Sequence, residues 1–505
     1  MVRNDSKQVS KTLIFSFLAM GINYIILFLL TPYITNHLGT EAYGFVSLAK
    51  TISNYGIVIT SCLNAFSARF ITIAYHKNDI EKANKYYSSV VLANVILFVV
   101  VLFLDILFTW KLEIFIRIPS YLVKDVKVLF FINIANYMLL AIGNVFNAYA
   151  YIKNRLDKIY IVRIISYVTE AAVLYFLFNK FVGKVYFVGI ALIVSTCILG
   201  ILNYCFATFS IPKLRVRIRN FSISAVKDLV LSGIWNSINN VGNLLNSGLD
   251  LWVSNLWLSP MAMGELSIVK TVATIFTTVA QLISSPFQPQ LLKAYSDKNI
   301  DEVVRVFKKQ ICISGYIVCV ITAGFFAIGT SYFSLWTPSE NIELLSGIAI
   351  VTVVGFLFEG MATPLFYTYT LTLKNKIPCI VTIISGVLNV LGMYVLLKNT
   401  NIGLYGVVGT TTVLGFGTYF IFTPLYASHC LGVKWNTYYS SMARVLISTA
   451  IVCVVVKPLD LTKISDNWVG FILAAIVICI IAIPVHIVCT MKICEVKRII
   501  KQLKI

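Results

Sequence analysis

The sequence predicts an all-α, polytopic membrane protein: about 14 transmembrane helices, two parallel six-helix repeats around a central cleft, and two extra C-terminal helices. Three observations carry that expectation. The 505 residues are 58% hydrophobic and 12% charged, against roughly 45–50% apolar and about 25% charged in an ordinary soluble domain. Apolar stretches long enough to cross a bilayer recur along the whole chain, and a segment of the first half aligns without gaps to a segment of the second.

In chain order the apolar stretches cover residues 11–33, 43–74, 86–109, 126–150, 159–179, 185–209, 228–257, 263–292, 310–333, 342–370, 378–398, 403–428, 438–456 and 468–491. Each reaches the roughly 20 residues that a helix needs to span the hydrocarbon. The first resembles a secretory signal only superficially. Leu13 to Tyr33 is too long for a signal core, and no small-residue cleavage site follows. Backbone in lipid must satisfy its own hydrogen bonds, and no alternating ten-residue pattern occurs, so the spans are helices and not barrel strands.

The same composition excludes a soluble enzyme, a disordered chain and a small disulfide scaffold. The 41 Lys and Arg outnumber the 21 Asp and Glu by 20, but so apolar a chain has little surface on which to gather a basic patch, and nucleic acid is not an expected partner. The cations set topology instead. With the N-terminus inside, about 28 fall on cytoplasmic segments and about nine outside, which places both termini in the cytoplasm. Lys213, Arg215, Arg217, Arg219 and Lys227 share one cytoplasmic segment, and Lys492, Lys497, Arg498, Lys501 and Lys504 the tail. The Arg215, Arg217 and Arg219 run reads either as a seat for anionic lipid or as the positive-inside rule at work. The eleven cysteines form no Cys-x-x-Cys, and His37, His76, His429 and His486 lie far apart, so no metal is expected. No nucleotide-binding loop occurs, so transport would draw on a gradient or the membrane potential.

The internal repeat has an offset of 220 residues. Leu38–Thr51 (LGTEAYGFVSLAKT) aligns to Leu258–Thr271 (LSPMAMGELSIVKT), and the match continues through Ala74-Tyr75 with Ala294-Tyr295, Ile80 with Ile300 and Lys85 with Arg305. Six helices per unit is an even number, so both copies enter the membrane from one side. The expected organisation is a lobe over 1–210, a cytoplasmic linker over 211–227, a second lobe over 228–430, and two extra helices with a basic tail over 431–505. Two such lobes can rock about a cleft, which is alternating access.

Charged residues inside the spans are expensive and mark candidate sites. They are Lys50, Arg69, Arg163 and Lys270, with Asp105, Glu170, Asp250, Glu265 and Glu359. Arg163, Arg69, Glu265 and Asp105 lie near span ends, where they can snorkel. Lys50 and Lys270 are equivalent in the repeat, each about 10 Å along its helix from the outer end. Two ammonium groups at one depth, with no acid at i±4, would make an electropositive chamber suited to a diphosphate; the bland alternative is snorkelling. Gly44, Ser47 and Thr51, with Gly264, Ser267 and Thr271, read as a packing seam. The seventh span carries Asn236, Asn239, Asn240, Asn243, Asn246 and Asp250 at three- and four-residue steps, a face that lines water for sugar hydroxyls or glues helices together. Asn54, Asn64, Asn133, Asn136, Asn144 and Asn147 give the first lobe a similar face. Asp250, Asn389 and Thr411 offer three oxygen ligands at one depth, enough to hold a hard cation, or are unrelated polar residues. Glu170 and Glu359 are the other candidates for coupling to H+ or Na+.

The segments LTPYITNHLGTEAYGFVSLAKTI and SARFITIAYHKNDIEKANKYY, on a chain of this architecture, resemble the Wzx-type oligosaccharide flippases (O-antigen and capsule repeat-unit translocases) of the multidrug/oligosaccharidyl-lipid/polysaccharide (MOP) exporter superfamily. The resemblance implies a bacterial plasma-membrane protein, no enzyme, that moves an undecaprenyl-diphosphate-linked oligosaccharide to the outer leaflet. Its implied partners are that lipid-linked oligosaccharide, membrane lipids, a polysaccharide polymerase and a chain-length regulator. Lys50, Lys270 and Arg69 map by position onto the cationic lumen of relatives. Asp250, Asn389 and Thr411 are similar in type to the sodium site of the related lipid II flippases, where a second carboxylate stands at the position of Met393. Two other readings compete: a cation-coupled drug or metabolite exporter, and a membrane polymerase or glycosyl- or acyltransferase, which would need a large outer loop or a catalytic His or carboxylate cluster at one face.

Overall fold

Apolar length and capping residues set the helix boundaries in the computed structural model, which describes residues 2–284 and 287–490. The basic tail over 492–504 lies outside the described residues. Two compact units emerge: Met1–Leu244 with Ser259–Gly264, and Leu245–Leu258 with Glu265–Ile505. No strand occurs among the described residues.

The first unit holds α1 (Val2–Leu38), α2 (Thr40–Asn54), α3 (Gly56–Asn64), α4 (Ser67–His76), α5 (Ile80–Trp110), α6 (Val123–Val145), α7 (Leu156–Lys180), α8 (Tyr186–Ser210) and most of α9 (Ile223–Ser247). α1 packs on α2 and α7, α5 on α4 and α6, and α8 on α6 and α7. The expected single span over 43–74 is three helices. Gly56 starts α3 against α6 so closely that an added methyl would sit 2.7 Å from the Tyr137 ring, and Phe66 leaves helical geometry at φ −113°, ψ 1°. α9 approaches α3 closely too: Ser61 and Ser237 share a hydrogen bond of 2.8 Å, and Gly233 lies against the Cys62 backbone.

The second unit begins with a helical turn over Asp250–Val253 and a π-helical stretch over Ser254–Leu258. It continues with most of α10 (Pro260–Ser284), α11 (Gln288–Ser296), α12 (Ile300–Trp336), α13 (Ile342–Ala362), α14 (Lys376–Asn399), α15 (Leu404–Gly415), a π-helical stretch over Phe416–Phe422, α16 (Thr423–Leu431), α17 (Tyr439–Val456) and α18 (Trp468–Thr490). α12 packs on α13, α17 and α18. α17 and α18 close a core with Cys319, Ala323 and Ile328 of α12, where Ile328 kinks the helix at φ −130°.

The repeat written in the sequence recurs in local geometry. In the first unit Asn78 takes a left-handed φ of 60°, the Asp79 N–H donates to the Ala74 carbonyl at 3.1 Å, and the Asp79 carboxylate caps α5 by accepting from the Lys82 N–H at 2.9 Å. In the second, Lys298 has φ 55°, the Asn299 N–H donates to Ala294 at 2.9 Å, and its side chain accepts from the Glu302 N–H at 3.0 Å to cap α12. Each cap satisfies an N–H with no partner inside the helix. A second turn recurs with a one-residue slip: Arg155 N–H to Ala150 in one unit, Lys374 N–H to Tyr369 in the other.

Twelve helices among the described residues are long and apolar enough to cross a membrane, fewer than the expected 14. α2, α9 and α10 stand outside the twelve. α2, at 15 residues, is too short to cross alone, and the asparagines of α9 lower its hydropathy. The spans that do qualify expose long apolar faces, such as Val99, Phe103 and Leu104 on α5 and Ile472, Ile476 and Ile480 on α18. Faces of that extent require lipid as their solvent.

The α3–α9 contact yields a prediction. Gly233→Ala drives a methyl into the Cys62 backbone, at an overpacking cost of about 1–3 kcal/mol. Gly200→Ala meets nothing within 4 Å. Thermal unfolding in detergent should show a lowered midpoint for the first and not for the second.

Candidate functional site

Lys270 and Asp250, 20 residues apart in sequence, meet in the second unit. α9 ends at Ser247, the chain turns through Gly248 and Leu249, and Asp250 opens a new helical turn whose own carbonyl accepts from the Ser254 hydroxyl at 2.8 Å. That break aims the Asp250 carboxylate at α10, where Lys270 donates to Oδ2 at 2.8 Å. The Asp250 side chain is 8% exposed and that of Lys270 26%. Sequence analysis paired neither with the other. It looked for an acid within one helical turn of Lys270, whereas the partner comes from another helix. The chamber expected from two unneutralised lysines is therefore, at Lys270, an ion pair.

Asp250 Oδ1 is buried with no hydrogen-bond partner among the described residues. An anionic oxygen left so in low dielectric is an open acceptor for a cation or a proton. The turn carrying Asp250 packs on both α14 and α15. There Asn389, 1% exposed, hydrogen-bonds Thr411 at 3.2 Å and donates to the Asn246 carbonyl at 3.0 Å. The Asn246 side chain accepts from Ser385 at 3.0 Å and donates to the Thr382 carbonyl at 2.8 Å, and Thr418 donates to Ser385 at 3.2 Å. Of the three oxygen ligands expected at one depth, Asn389 and Thr411 are in contact, while the carboxylate of Asp250 is engaged with Lys270. Asn246, Ser385 and Thr418 are additions that sequence reasoning missed; Ser385 lies one turn before Asn389 on α14, which was the available signal. Met393 is fully buried.

In the first unit Lys50 is half-buried on α2 and lies within Coulombic range of Glu170 on α7, without forming an ion pair. Each repeat-related lysine thus has an acid of its own unit nearby. Glu359 on α13 lies within Coulombic range of Tyr419. Arg69 is exposed on α4. Asn240 is half-buried and Asn243 exposed, while the side chains of Asn236 and Asn239 lie outside the described residues. On the first unit's amide face the gluing alternative holds at Asn64, which exchanges two hydrogen bonds with the buried Asn94, at 3.1 and 2.8 Å. The seam reading holds at Gly44, whose added methyl would lie 2.9 Å from the Gly264 backbone.

The loop after α5 pairs its polar groups with the helices beside it. Lys127 pairs with Glu113 at 2.8 Å, and its ammonium holds that carboxyl below the usual range. Tyr121 donates to Glu41 at 2.7 Å, which pushes the phenol up. No cluster of three metal-ligating side chains occurs among the described residues.

This architecture is that of known transporters. The chain is similar in fold to the lipid II flippase MurJ in an inward closed conformation, with a TM-score of 0.68 and 17% identity over 95% of this chain and 99% of that one. It is also similar to an inward-facing multidrug resistance MATE family transporter of the MOP superfamily, at 0.64 and 15% identity, covering 81% of this chain and 94% of that one. Both likenesses are of fold, and they define the class of helical architecture to which the chain belongs. More narrowly, the model of the polysaccharide biosynthesis protein family matches residues 9–291, over half of the sequence, and the chain belongs to that family. The uncharacterized membrane protein EpsK of Bacillus subtilis (strain 168) is 26% identical over 464 residues, 91% of this chain and 92% of the relative.

The ion pair makes a prediction of its own. Asp250→Asn and Lys270→Gln should each lower the unfolding midpoint, because each strands a partner. The double variant should lose less than the sum, with a coupling of about 1 kcal/mol or more in a double-mutant cycle. Strict additivity would contradict the pair.

Proposed function

We propose that this protein is a flippase that carries polyprenyl-diphosphate-linked oligosaccharide units across the bacterial plasma membrane by alternating access, for surface polysaccharide biosynthesis. The observation that carries the reading is the repeat-related pair Lys50 and Lys270, cations at equivalent positions of α2 and α10, each near a single carboxylate. A diphosphate bears more charge than one carboxylate and offers more acceptor oxygens, so it competes well for an ammonium already stripped of most of its water. Asn240, Asn243 and the neighbouring amides of α9 supply donors and acceptors for sugar hydroxyls. The polyprenyl tail stays in lipid. On this reading both termini are cytoplasmic, and a polymerase and a chain-length regulator act on the delivered units.

The open Oδ1 of Asp250, beside the polar cluster of Asn389 and Thr411, supports coupling to H+ or Na+. It also supports the second reading, a cation-coupled exporter of a drug or metabolite. Vesicles containing the purified protein separate the two. Wild type should move a lipid-linked oligosaccharide and leave a soluble cationic dye behind, and Lys50→Ala with Lys270→Ala should lower that rate at least tenfold. Dye transport with no lipid-linked transport would favour the exporter, and an unchanged rate in the double variant would remove the lysines from the mechanism.

A further inference from the structure

The segment joining α8 to α9 is an ordered strap. Its backbone is tied to one face of α5. The Asn84 amide donates to the Lys213 carbonyl at 3.0 Å and its carbonyl accepts from the Arg215 N–H at 2.8 Å. One turn on, Ser88 donates to the Arg215 carbonyl at 3.2 Å and accepts from the Arg217 N–H at 3.1 Å, and Ser89 accepts from the Ser222 N–H at 2.9 Å. Three polar side chains at helical spacing stand in for a neighbouring strand. Between a turn at 212–213 and the 3-10 helix Ile218–Asn220 the strap is extended, with Arg217 at φ −136°, ψ 134°, and successive side chains there point to opposite sides. Leu214, 3% exposed, and Val216 turn in to the core of the first unit, while Lys213, Arg215 and Arg217 turn out with Arg219 beyond them. No carboxylate among the described residues forms an ion pair with any of these four cations.

The positive-inside rule needs only a count of cations; it requires neither a fixed backbone nor a common outward face. The apolar neighbours add a second observation. Phe209, Ile218 and Ile223, at the ends of α8 and α9 and within the strap, are 85%, 82% and 76% exposed. α8, one of the twelve helices long and apolar enough to cross a membrane, ends at Ser210, directly before the strap, so chain continuity keeps the strap at the bilayer surface. A cationic row interleaved with exposed large apolar side chains at that depth has the makeup of an interfacial lipid contact.

We infer that this strap is a docking surface for the headgroups of anionic phospholipids, with Phe209, Ile218 and Ile223 seated among the acyl chains beside them. Each cation near such a surface raises affinity about fivefold, so the row acts as a cooperative anchor for the ends of α5, α8 and α9. The site is distinct from Lys50 and Lys270, and it does not depend on the substrate proposed above.

The test uses the full-length protein in neutral detergent with phosphatidylglycerol or phosphatidylcholine added, followed by gel filtration and a count of phosphatidylglycerol retained per chain. Wild type should retain phosphatidylglycerol over phosphatidylcholine. R215Q/R217Q/R219Q should retain at least threefold less, and single Arg217→Gln an intermediate amount with an unchanged elution profile. K374Q/K376Q, on exposed cations of the second unit, should match wild type. Equal retention by the triple variant, or equal loss in the control, overturns the proposal. Loss of transport in the triple variant with its phosphatidylglycerol intact would assign the row to substrate and overturn it as well.

Discussion

Within a bilayer core a polar group can be paired only by protein, and that single constraint arranges the amides and charges of this chain. It forces the backbone into helices. It then sorts the side chains: the faces of α5, α14 and α18 that meet no other helix carry Val, Ile, Leu and Phe, while asparagines close on each other, as Asn64 does with Asn94. At Lys270 a second charge is brought to the first. The break at Gly248 and Leu249 costs α9 its continuity, and what it secures is the Asp250 carboxylate at Lys270.

The two repeats meet this constraint in related ways. Each has a lysine at the same point of its second span and an acid within reach of it, but the acid comes from a different place in each: α7 for Lys50 and the turn after α9 for Lys270. The turns are more strictly kept. Asp79 and Asn299 cap equivalent helices with side chains of different charge and the same geometry, because what a helix start needs is an acceptor, and either residue supplies one. The lysines are retained and their partners vary, which fits an account in which the cations meet the substrate and the carboxylates hold them in its absence.

The fold class, most span positions and the offset of 220 were legible because they depend on local composition and on residues a fixed distance apart. The breaks were not. The division of 43–74 into α2, α3 and α4 follows from how Gly56 meets Tyr137, a contact 81 positions away, and hydropathy carries no record of such a neighbour. The candidate site was legible as a set of residues and not as a set of partners. Lys270, Asp250, Asn389 and Thr411 each announce themselves as polar groups in apolar helices. That Asp250 serves Lys270 while Asn389 leans on the Asn246 carbonyl depends on which helices pack together. The strap was visible as alternating cations, but its rigidity depends on Asn84, Ser88 and Ser89, ordinary residues on a distant helix.

The central claim is that Lys50 and Lys270 recognise a diphosphate. Binding tests it most directly: the affinity of the purified protein for a polyprenyl-diphosphate-linked sugar is compared with that for an otherwise identical lipid with an uncharged linkage, in wild type and in Lys50→Met/Lys270→Met. The account predicts that wild type prefers the diphosphate by at least tenfold and that the double variant binds the two lipids alike. A double variant that keeps the wild-type preference would contradict it.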